Sequence, residues 1–289
     1  MVTSSRSIKK RRIMMKVSKL IGLSVCGLIL LGVASTAMAA EGGSAMTDGT
    51  IDFEVETDPA GEIIKPETEE PIETEEGSST TGNLRIQFVP DFNFGHQKIK
   101  TGEETYAPTY MKYRYKNQPV GKDGEYYMPH FLQVSDTRGT NEGFTLTVKG
   151  TTFKRKTGDE LPFATIALTD GRLSNNVFSE AEIKNRVDTF KGVSNVGTGK
   201  LVIPTGMADA LPVMMTKSNE KVHSTNGTQT SLILSSTYDK DNLDYLATAK
   251  NEEVVFTKTN KDIPTITPVA PAELDPYESK ITWTLTTGI

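Results

Sequence analysis

Cysteine and tryptophan are nearly absent: 289 residues hold one of each, Cys26 and Trp283. A single cysteine cannot form an internal disulfide framework or a cysteine-based zinc site. Three histidines, His96, His130 and His223, stand too far apart in sequence for any short metal-ligand spacing. Also missing are a Gly-x-Ser-x-Gly elbow, a phosphate loop and a dinucleotide fingerprint, so nothing in the sequence favours an enzyme or a cofactor. Positive charge is not in excess either, the formal net charge being −5, which gives no electrostatic reason to bind nucleic acid. Asp239 to Asp244 begins like a calcium loop but lacks the central glycine and distal glutamate, and reads as a turn or short helix.

What is present is unevenly distributed. Residues 1–19 carry seven basic residues and no acid, followed by the apolar run Leu20 to Val33 and the small-residue stretch Ala34 to Ala40. That order predicts a secretory signal peptide over 1–39, cleaved after Ala39, and the run is shorter than the roughly 20 residues of a spanning helix. Cys26 lies inside it, so the mature chain is expected to be free of cysteine and of any membrane span. Removing the leader leaves 25 basic and 37 acidic residues, and the whole imbalance sits in residues 41–76, with thirteen acids and one base, Lys65. The stretch Lys65 to Glu76 predicts an extended spacer, too polar and self-repelling to bury itself. Within residues 40–82, Thr50 to Glu56 alternates apolar and polar residues, predicting a leading strand that docks on the body.

Residues 83–289 are charge-balanced and read as β. Short alternating runs recur at Leu84–Val89, Phe144–Val148, Thr165–Leu168, Lys200–Ile203 and Glu253–Thr257, punctuated by glycine and proline. Asn226-Gly227, between Lys221–His223 and Thr230–Leu234, predicts a hairpin turn. Ser179-Glu180-Ala181-Glu182 is a capping box, and Ile183, Val187 and Phe190 follow at helical spacing up to Gly192. The expected fold is mainly β, a single β-sandwich or barrel-like domain with a short helical insertion.

Four segments carry a pattern. They are Val89-Pro90-Asp91-Phe92-Asn93-Phe94-Gly95-His96-Gln97-Lys98-Ile99, Leu132 to Thr140 with its Asp136-Thr137-Arg138-Gly139, Gly143 to Val148, and Tyr277 to Thr286. Together they resemble the WxL-domain proteins of the Gram-positive cell surface, named for two Trp-x-Leu motifs. The distal motif is intact as Trp283-Thr284-Leu285, whereas the first reads Phe144-Thr145-Leu146, with phenylalanine where the family usually has tryptophan. The resemblance implies a secreted protein held non-covalently on the cell wall, with peptidoglycan as ligand and companion surface proteins as partners, some of them linked to adhesion. An adhesin or assembly subunit whose ligand is another protein is the alternative, and a secreted carbohydrate-active enzyme a more distant one.

Two readings of the motif residues stand side by side. In a strand, residues i and i+2 share a face, so Trp283 with Leu285, and Phe144 with Leu146, form either core stripes or exposed ligand contacts. Asp136 and Arg138 are either a turn brace or a polar contact to a ligand. These six residues are the candidate binding site; no catalytic or metal site is assigned.

Overall fold

The computed structural model describes residues 61–98, 100–192, 199–206, 208–264 and 275–288. The leader 1–39 and the leading strand at 50–56 lie outside the described residues. Strands are numbered in chain order, and all pair antiparallel. The central sheet runs β12 (Arg172–Asn175), β16 (Thr228–Ile233), β7 (Phe131–Asp136), β3 (Leu84–Phe88). A second sheet runs β13 (Val187–Thr189), β15 (Leu211–Thr216), β8 (Phe144–Gly150), β18 (Ile281–Thr287). A third is β14 (Leu201–Val202), β11 (Thr165–Leu168), β17 (Val254–Lys258), β4 (Glu104–Tyr106). The fourth is β1 (Ile63–Ile64), β2 (Pro71–Glu73), β5 (Met111–Tyr115), β6 (Tyr126–Met128), and a small ribbon joins β9 (Phe153–Lys154) to β10 (Glu160–Leu161). The chain is therefore mainly β, as its alternating runs predict.

Two cores explain the layering. The larger gathers Leu132 and Val134 of β7, Phe144, Leu146 and Val148 of β8, Ile166 and Leu168 of β11, and Leu232 of β16. The smaller lies on the other side of the central sheet, where Phe88, Phe131 and Ile233 meet Ile72, Met111, Tyr113 and Tyr115. Strand β7 is consequently buried on both faces. Its Gln133 is satisfied there: Oε1 accepts from Ile64 N at 3.1 Å, and Nε2 donates to Ile64 O at 2.9 Å and Ser231 Oγ at 3.0 Å. A buried amide left unpaired would cost about 1–3 kcal/mol, so this one fixes where β1 lies.

Three local expectations are corrected. Residues 61–76 are not an unpacked spacer, because β1 and β2 are built from them and Ile72 is buried. Their lone base supplies the reason. Lys65 is only 1% exposed, and its Nζ donates to Tyr115 Oη at 2.8 Å and Lys240 O at 2.6 Å. Three of the seven acids find cations from later in the chain: Glu62 meets Lys116, Glu67 meets Arg172 and Glu70 meets Lys122. The helix keeps its capping box but stops early, spanning Glu180–Arg186. Val187 turns to φ −126°, ψ 130° and enters β13 instead, where it pairs with Thr216 of β15 and is buried. Asn226-Gly227 does not close a hairpin, since Lys221–His223 is a 3₁₀ turn and β16 pairs with β7 and β12.

Candidate functional site

The two tripeptide motifs lie on neighbouring strands. Leu285 stands opposite Leu146, Trp283 opposite Val148, and Thr287 opposite Phe144. Their surroundings differ completely. Strand β8 is flanked by β15 and β18, so Phe144, Leu146 and Val148 are fully buried in the main core. Strand β18 is the edge of its sheet among the described residues, and Ile281, Trp283 and Leu285 are only half-buried, packed against that core. Phe144 and Leu146 thus present no surface to a ligand, whereas Trp283 does.

Asp136 and Arg138 form an internal brace. Arg138 Nε donates to Asp136 Oδ1 and Nη2 to Oδ2, both at 2.9 Å, a two-pronged ion pair. Nη2 also donates to Gly143 O at 3.2 Å, and Arg138 N to Asp136 Oδ1 at 3.3 Å. Asp136 is buried, and the carboxylate beside it raises the Arg138 guanidinium further above its ordinary range. Gly139 N and Gly227 N extend the brace, donating to Asn226 Oδ1 and Asp136 O at 2.7 Å each. The charges are spent on holding the turn that leads into β8. Gly143 N donates to Asn219 Oδ1 at 2.8 Å, and a Cβ on Gly143 would lie 1.9 Å from Thr216 Oγ1.

The brace sits near the C-terminal end of β18, where Gly288 N donates to Gly143 O. At the other end a cleft of about 720 Å³ opens. Seven strand residues separate the two ends, roughly 20 Å. One wall of the cleft is Pro276 to Trp283; the facing wall is Val89 to Gly95, with Ser78 to Thr80 beside it. An adjoining recess of about 670 Å³ continues along Asn93 to Lys98 and Asp275 to Tyr277. The two share Asn93, Phe94, Gly95, Phe153, Pro276 and Tyr277, making one furrow.

Aromatic rings line this furrow. Phe256 stands 5.4 Å from Phe94, 4.9 Å from Phe153 and 6.3 Å from Tyr106, centroid to centroid. The Arg155 guanidinium lies over the Tyr277 ring at 4.3 Å. Phe92 meets His130 edge-on at 5.2 Å. His130 is buried beside Asn251, and burial lowers its imidazole pKa to about 4 despite a hydrogen bond that it donates to the Asp91 backbone, which raises it. The wall residue Asp91 holds Gly77 N at 2.9 Å through Oδ2, and burial together with the Asp91 charge raises the Glu76 carboxyl. Apart from the buried Phe153, these rings are partly exposed beside polar backbone and carboxylate groups, an arrangement that suits the faces and hydroxyls of a sugar.

Of the six candidate residues, only Trp283 borders the furrow. Phe92, Phe94, Phe153, Tyr277, Tyr106 and Phe256 were not singled out from sequence. Phe92, Phe94 and Tyr277 stand inside the segments that carry the family pattern, and that placement was the available signal. Among the described residues, no group of three or more histidine, cysteine or acidic side chains could hold a metal ion. No helix among them is long and apolar enough to cross a membrane.

Comparison with known families matches residues 40–288 to the WxL domain, described as surface cell wall-binding. No curated protein and no solved structure matches the chain.

Proposed function

The chain belongs to the WxL family of cell-wall-binding surface domains, and from that premise we propose that it binds peptidoglycan through the furrow between residues 89–98 and 275–283. One observation carries the reading. Two segments of the family pattern, separated by almost the whole domain in sequence, converge on a single aromatic-lined groove that contains the chain's only tryptophan. The other Trp-x-Leu position is sealed in the core, so Phe144 in place of tryptophan takes nothing from a ligand contact. In this reading the protein is exported, loses residues 1–39 and stays on the wall without a covalent link. It carries out no catalysis.

Participation in surface assemblies is the second half of the proposal. Strand β18 leaves an edge without a strand partner among the described residues, and an extended segment of a companion protein can add to such an edge. The wall-binding half is tested by co-sedimentation of purified mature protein with cell walls, with soluble peptidoglycan as competitor. Wild type pellets and is displaced, while Tyr277→Ala combined with Phe94→Ala stays in the supernatant although it still unfolds cooperatively. Equal pelleting by a folded double variant contradicts the assignment.

A further inference from the structure

On the outer side of β18, next to the furrow, lies a second recess of about 700 Å³. It is lined by five cationic side chains, Lys149, Lys154, Arg155, Lys156 and Lys280, against two carboxylates, Glu160 and Glu278. Lys154 is committed to Glu160 at 3.0 Å. Lys149, Lys156 and Lys280 make no ion pair among the described residues. The contrast with the N-terminal sheet is direct, since Lys112, Arg114, Lys116 and Lys122 there each meet a glutamate.

Register explains why these charges gather. Val148 points into the core, so Lys149 points outward, and it stands opposite Thr282, whose own side chain is exposed. Lys280 lies two residues before Thr282 and is exposed as well, so both ammonium groups leave the same face of adjacent strands. Like charges so placed repel unless an anion lies between them. Glu278, Ser279, Lys280 and Thr282 line both the recess and the aromatic furrow.

We infer that the recess is an anion subsite for the wall polymer, taking phosphate or carboxylate oxygens displaced from the sugar that fills the furrow. The inference rests on the furrow reading and extends it from a neutral glycan to one bearing, or lying beside, repeated negative charge. Lysine point charges fit this task because anions spaced along a flexible chain need no fixed bidentate geometry. Binding through the recess is screened by salt; binding through the rings is not.

The test is wall pelleting of wild type and of Lys149→Gln combined with Lys156→Gln, at about 0.15 M and about 1 M salt. Neither lysine lines the furrow. Wild type is expected to bind roughly three- to tenfold more tightly at the lower salt, and the double variant to show the weaker, salt-resistant affinity at both. Walls stripped of phosphodiester polymer identify the source. Loss of the salt-sensitive part on stripped walls assigns phosphate; its survival there, with loss after amidation of wall carboxylates, assigns carboxylate. A double variant indistinguishable from wild type at both salts overturns the subsite and leaves the furrow reading intact. Absence of any salt-resistant binding by wild type overturns the furrow reading itself.

Discussion

Phe144 and Trp283 hold corresponding places in two tripeptide motifs, and strand position gives their rings opposite environments. An interior strand buries the side chains of its core face from both flanks, while an edge strand buries them from one. Phe144→Ala is therefore expected to cost about 3–5 kcal/mol, read by denaturant unfolding, because it empties a fully packed site. Trp283→Ala should cost distinctly less and weaken wall binding instead. Gly143 is constrained by contact, not by its dihedral angles. A methyl group there meets Thr216 Oγ1, which accepts from Phe144 N at 3.0 Å. Gly143→Ala is expected to lower stability by about 1–3 kcal/mol in the same assay. The i, i+2 stripe was legible in the sequence at both motifs. Which stripe is closed depends on the number of neighbouring strands, and no local pattern encodes that.

At the scale of elements, the alternating runs located β3, β8, β11, β14, β16 and β17, and the capping box placed the helix N-cap at Ser179. The early helix end was hidden because Val187 and Phe190 serve a buried strand and turn as well as they would serve a helix face. Residues 61–76 show the limit of summing charge along a segment. Three of their seven acids pair with Lys116, Lys122 and Arg172, and those pairings are defined only once the sheets assemble. The buried Lys65 ties β1 and β2 to β5 through Tyr115, with its ammonium 5.4 Å from that ring. Lys65→Met removes a charge from the interior yet takes one hydrogen bond each from the Tyr115 hydroxyl and the Lys240 carbonyl. A loss of about 1–3 kcal/mol is expected, with faster amide hydrogen exchange concentrated in β1 and β2.

For the whole molecule, stability couples to pH through His130. Its pKa is lowered from 6.5 to about 4 by burial, so between these values the unfolded chain binds a proton that the folded chain refuses. The contribution is complete above pH about 6.5 and is lost as pH falls towards about 4, amounting to about 3 kcal/mol. Thermal unfolding across that window checks it: His130→Asn should flatten the slope, and an unchanged slope would contradict the assignment. Because His130 packs on Phe92, acid is expected to loosen one wall of the furrow first. The furrow itself was only half legible in the sequence. Its segments were recognisable, but they lie at opposite ends of the domain, and only the folded sheets bring them face to face.

The lone tryptophan makes the central claim directly measurable. Trp283 is half-buried at the furrow and is the chain's only indole, so its emission reports that one place without labelling. Titration of purified mature protein with soluble peptidoglycan fragments should give a saturable change in tryptophan emission, with a midpoint matching the wall-pelleting competition. Tight pelleting with Trp283 emission unchanged at saturating fragment would place the wall contact elsewhere and contradict the account.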